Sequence, residues 1–154
     1  MFEEALLVTS STDGSMLMVH AGAGAGAGAG SALCPAYKHC NTLSNGITTM
    51  TGSSSYSGRG STDYIVAAQA GKPLLHLYTP SSPSPALQIH TQEAVTALTG
   101  GMQGGTGRYL YSGSRTGRVG VWNCLSGALV ALVPAHFRAV TCLAADPTGI
   151  FLFR

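Results

Sequence analysis

The chain has 154 residues, a formal net charge of +2, only 9% charged residues against 45% hydrophobic ones, and 21 glycines. That composition suits short strands and turns better than amphipathic helices, and Lys and Arg that never adjoin exclude a phosphate-binding stripe. No apolar run approaches the roughly 18 residues needed to cross a bilayer. There is no Asn-x-Ser/Thr sequon, and no Lys or Arg precedes Lys38, so the sequence reads as soluble and intracellular with reduced cysteines.

In chain order, Ala5 to Ser10, the turn Asp13-Gly14 and Ser15 to His20 predict a first hairpin. A strict Gly-Ala alternation from Ala21 to Gly30 offers no side chain for a core and reads as a flexible insertion. The strand pattern resumes weakly through Leu33 and Tyr37, and Gly46 to Met50 is a short strand ahead of a Ser/Gly loop at Thr51 to Thr62. Tyr64 to Ala68 and Leu74 to Tyr78 predict a second hairpin across Gly71, followed by a Pro/Ser connector from Thr79 to Pro85. Ala86 to His90 and Ala94 to Leu98 are further strands. Tyr109 to Ser112 and Val119 to Trp122 form a third hairpin through the turn Ser114 to Arg118, with Tyr109 and Tyr111 sharing a face.

One spacing runs through these pieces. Val95-Thr96-Ala97-Leu98 recurs as Val140-Thr141-Cys142-Leu143, 45 residues later, and Ile47-Thr48-Thr49-Met50 stands 48 residues before it. Tyr78 and Trp122 are 44 apart, and His90 and His136 are 46 apart. About four strands in each 40 to 45 residues is the signature of a β-propeller blade, so the fold class is all-β.

The run SGSRTGRVGVW from Ser112, with Ala135-His136 before VTCL and Asp146-Pro147-Thr148-Gly149 behind it, resembles a WD40 repeat. The resemblance implies a structural tetrad of His90, Ser112, Thr116 and Trp122, with Thr116 standing where the family has Asp. DYIVAAQAGKPLLHLYT from Asp63, together with Met18-Val19-His20, narrows it. These residues resemble the opening blades of the WD-repeat pre-rRNA-processing proteins of large-subunit ribosome maturation, the family that includes human WD-repeat protein eighteen. Such members carry roughly seven blades, and this chain holds about three, so it reads as an incomplete WD40 propeller from a fragment or truncated gene model. Its blades would span about 1–43, 44–90 and 91–137, with another starting at 138–154. An open arc of this kind is expected to be poorly soluble alone. The resemblance further implies a non-enzymatic scaffold in pre-60S maturation and processing of the second internal transcribed spacer. Its partners would be HEAT-like scaffold proteins, the midasin AAA ATPase and the pre-ribosomal particle, in nucleolus and nucleoplasm and without a membrane. A generic WD-repeat adaptor, such as a ubiquitin-ligase substrate receptor or trafficking subunit, is the other reading.

Catalytic chemistry finds little support. The six carboxylates fall mostly at termini or turns, and no nucleophile elbow, Walker loop or dinucleotide fingerprint occurs, so neither catalytic nor cofactor-binding residues are assigned. Cys34, His39 and Cys40 cluster, but Cys124 and Cys142 do not complete a four-ligand set, so no metal is assigned. Cys142 reads as a small core residue. His90 and His136 read as hydrogen-bonded structural histidines. Arg115 and Arg118 flank the third turn, as solvated turn residues or as a partner rim for protein or RNA.

Overall fold

The computed structural model describes residues 5–11, 13, 15–21, 33–39, 46–53, 64–79, 84–103, 107–145 and 152–153. All regular structure among them is strand. The first sheet runs β1 (Ala5–Ser10), β2 (Met16–Ala21), β3 (Leu33–His39). Two four-stranded meanders follow. One consists of β4 (Ile47–Ser53), β5 (Tyr64–Gln69), β6 (Leu74–Tyr78) and β7 (Leu87–His90), the other of β8 (Val95–Gln103), β9 (Gly107–Ser114), β10 (Arg118–Asn123) and β11 (Leu129–Pro134). Every neighbouring pair is antiparallel and consecutive in sequence, which short turns permit without a crossover. A last pair, β12 (Ala144–Ala145) and β13 (Leu152–Phe153), forms a two-stranded sheet of its own, with β12 beside β8. The Gly-Ala tract beyond Ala21, most of the Ser/Gly loop, the centre of the Pro/Ser connector and the Asp146 to Gly149 turn lie outside the described residues.

The sheets are held face to face because side chains alternate across each strand. Tyr64, Val66, Ala68, Leu75, Leu77 and Ile89 on one face of the second sheet meet Val95, Leu98, Leu110, Trp122 and Cys124 on the third. The opposite face of the second sheet presents Ile65, Ala67 and Tyr78, which pack with Met16 of the first. The far face of the third sheet, through Ala97 and Val119, receives Val140 and Leu143 from the chain that follows. Each sheet is thus covered by its neighbours in chain order. β4 and β8, the first strands of their sheets, lie side by side.

The repeat extends to backbone irregularities. Pairing shifts between Ile47 and Thr49 in β4 and between Val95 and Ala97 in β8, so both first strands bulge at the Thr of their I/V-T motif. At Thr96 the hydroxyl approaches Val140 O at 2.6 Å and Gly113 O at 3.2 Å, linking one repeat to the next. The expected strand at Val140–Leu143 does not form. Val140 N instead donates to Ser114 O at 3.1 Å and its carbonyl is taken by Thr96, which leaves the VTCL run irregular. Val140 and Leu143 are buried there while Cys142 is exposed, so the core role expected of Cys142 falls to its neighbours.

His76 sits in the core at 4% exposure, its Nε2 3.4 Å from Gln69 Oε1 and its Nδ1 without a partner. Burial, and secondarily the nearby His90, hold its pKa below the ordinary histidine value. The unfolded chain therefore takes up a proton that the folded chain refuses as pH drops below about 6.5. Stability should be full above that pH and decline beneath it. Urea unfolding followed by Trp122 fluorescence should show the midpoint falling between about pH 7 and pH 5, and a smaller fall in His76→Phe; equal slopes would contradict this assignment.

Candidate functional site

The third hairpin sets the geometry. Ser112 faces Gly120 across the β9–β10 ladder, two residues from Trp122 on the same side of the strand. With no side chain at Gly120, the indole lies back across the strand, and Nε1 donates to Ser112 Oγ at 2.8 Å. A Cβ at Gly120 would stand 2.8 Å from Nε1 and 2.9 Å from Oγ, where it would displace this bond. Both partners are buried, so the bond satisfies an N–H that burial would otherwise leave unpaired.

The turn between the strands carries a second set of bonds. Gly117 has φ of 90°, a conformation that other residues adopt at a cost, and its N–H donates to Ser114 O at 3.2 Å. Arg118 N donates to Ser114 Oγ at 3.1 Å, Ser114 Oγ lies 3.2 Å from Thr116 Oγ1, and Thr116 donates to Glu93 Oε2. A carboxylate only accepts, so the Thr116 proton is committed to Glu93. Arg118 Nη1 closes the group at 3.3 Å from Glu93 Oε1. The Thr116 hydroxyl first, then Ser114, and also the Arg118 charge, hold the Glu93 carboxyl below its ordinary range. The carboxylate that Thr116 lacks is thus supplied from the loop before β8.

His90 is not in this group. Leu87 and Ile89 face the third sheet, so alternation turns His90 to the other side of β7, where it is exposed. The next residue, Thr91, is nearly buried and lines the pocket with Glu93, Ser112, Ser114 and Trp122; its hydroxyl donates to Glu93 O at 2.7 Å and shapes that loop. Ser112 and Trp122 are therefore brought together, Thr116 joins through Glu93, and His90 stays outside. Arg115 is exposed in the turn, and His136 is exposed while its N–H donates to Gly117 O at 2.9 Å. Cys40 lies outside the described residues, as do the side chains of Cys34 and His39. Nothing in the sequence marks Glu93; Thr91 carries a signal, since it stands 45 residues before His136, the spacing of the VTxL pair.

Solved structures share this fold. The crystal structure of RRP9 WD40 repeats matches with TM-score 0.60 and 21% identity, over 90% of this chain and 38% of that one. The chain has the WD40-propeller fold, in an incomplete array. Two computationally designed proteins agree: Ika4 at TM-score 0.62 and 18% identity, over 94% of this chain and 76% of Ika4, and Ika8 at 0.61 and 17%, over 95% and 39%. No family model matches the chain. Among curated proteins, it is similar to the pre-rRNA-processing protein IPI3 of Scheffersomyces stipitis, 28% identical over 115 residues that cover 62% of this chain and 22% of that protein. The chain thus spans less than a quarter of that relative's length.

Ser112→Ala should cost about 1–3 kcal/mol in urea unfolding by orphaning the Trp122 N–H, and Gly120→Ala a similar ~1–3 kcal/mol by overpacking. Thr116→Asp should lower stability near neutral pH because it sets a second carboxylate against Glu93. Adding Glu93→Gln to that variant should recover the loss. A stabilising Thr116→Asp would show that the two side chains do not meet.

Proposed function

We propose that the chain is part of a non-enzymatic WD-repeat scaffold in ribosome biogenesis, supporting pre-rRNA processing through protein contacts. The observation that carries this reading is the similarity over 115 residues to a pre-rRNA-processing protein, on a fold shared with RRP9 WD40 repeats. The site chemistry is consistent with it. Trp122 bonds Ser112 and Thr116 bonds Glu93, so these four side chains shape the blade and leave its loops to meet partners. The blade units proposed are about 1–43, 44–90 and 91–137, with the next beginning at 138. The finer reading places the scaffold on pre-60S particles in the nucleus, with HEAT-like proteins and the midasin ATPase as partners. Affinity purification of the tagged full-length gene product is the test. Co-purification of large-subunit assembly factors is expected; their absence sinks the proposal.

A further inference from the structure

The loop after β11 is tied down as firmly as a turn within a hairpin. Ala135 N and His136 N both donate to Gly117 O, at 3.2 and 2.9 Å, and Val140 N reaches Ser114 O at 3.1 Å. The loop backbone lies so close to the β9–β10 turn that a Cβ on Gly117 would come within 2.6 Å of Arg138 O and would collide with His136 O. Residues 135–140 and 114–118 therefore form one double loop of fixed shape.

What this double loop exposes is unusual for a surface. Phe137 is fully exposed, at 106%, in a loop whose backbone is anchored on both sides of it. Arg138 follows it, and Arg115 sits in the abutting turn, both exposed. Among the described residues neither arginine has an acidic partner, whereas Arg118 is held by Glu93. A shallow groove along residues 136–142 runs beside the ring. An aromatic ring with flanking arginines on a rigid support is the composition that dominates protein-interface energetics, because ordering costs are already met before binding.

We infer that Phe137, Arg138 and Arg115 form a docking patch for an acidic segment of a partner protein, the ring entering an apolar pocket and the guanidiniums pairing with carboxylates beside it. The inference rests on the scaffold reading above and names one of its contact surfaces. Charge decides between protein and RNA. Two uncompensated arginines would neutralise about two phosphates, giving single-strand binding a salt slope of about −1.4 and little affinity at physiological salt. The same two guanidiniums can grip two carboxylates bidentately around one buried ring.

The test uses the purified chain and a displayed library of random short peptides, so its outcome does not depend on which assembly the scaffold serves. Enriched peptides should carry Asp or Glu around an apolar centre. A synthetic copy of the best should lose about 30-fold or more in affinity on Phe137→Ser, and a comparable factor on Arg138→Glu or Arg115→Glu. Leu125→Ser, at another exposed turn, should change nothing, and Trp122 fluorescence should confirm that each variant is folded. Enrichment of peptides without carboxylates, or binding indifferent to Phe137, overturns the inference. So does single-stranded oligouridine binding that Phe137→Ser abolishes. If assembly factors co-purify equally with Phe137→Ser full-length protein, the patch is wrong and the scaffold stands; if they fail to co-purify with the unaltered protein, the scaffold reading itself falls.

Discussion

A four-stranded meander of short strands has two apolar faces and can hide neither by itself, and this constraint governs the chain. The solution adopted is to stack sheets in sequence order, so that each is both lid and base for its neighbours. The second sheet shows it most fully, with Val66, Leu75 and Ile89 committed to the third sheet and Ala67 and Tyr78 to the first. Only small and aliphatic side chains meet at these interfaces, apart from a few rings. That is why a chain with so few charges and so many glycines still forms a well-packed interior. The same constraint explains β11. It has one strand neighbour, and Val130 and Val133 are 55% and 48% exposed, because no further sheet among the described residues lies against that end.

Polar bonds decide how the stacked sheets are aimed at one another. Trp122 and Ser112 lock the indole over Gly120, which fixes the face that meets the second sheet. Glu93, from the loop that crosses between sheets, binds the turn of the third through Thr116 and Arg118. Thr96 then ties the bulge of β8 to Val140 beyond the blade. The last two join segments distant in sequence, so each closes a loop whose entropy has already been lost to sheet stacking. Coupling of this sort makes the repeats cooperative rather than independent beads.

Much of this was legible in the residues. The spacing of ITTM, VTAL and VTCL marks the repeat, and the alternation of the third hairpin places its two strands where β9 and β10 lie. The strand at Leu129–Pro134 gives no sequence signal, since ALVALVP is apolar throughout and carries no alternation to reveal a strand. VTCL misled in the other direction, because a sequence motif cannot show that its backbone groups are already engaged by Ser114 and Thr96. His90 is the instructive case. It stands 46 residues from His136 while the VTxL motifs stand 45 apart, and that single residue moves a side chain to the opposite face of its strand. Glu93 carried no such signal. Its role depends on the approach of a loop to a turn 23 residues further on, and only a folded chain shows it.

The pairing of Arg118 with Glu93 also separates two arginines that look equivalent in sequence. One guanidinium is spent on holding a loop, and a charge held in that way is a poor probe of partners because releasing it would expose an unpaired carboxylate. Arg115 bears no such obligation. Function carried on a surface of this kind therefore depends on a division within a few residues: Ser114, Thr116, Gly117 and Arg118 fix the shape of the turn, and that fixed shape positions the loop carrying Phe137. The bonds that consume the hairpin's polar groups are thus the reason its neighbours can be held exposed. Loosening the Thr116–Glu93 contact would cost the rim its definition.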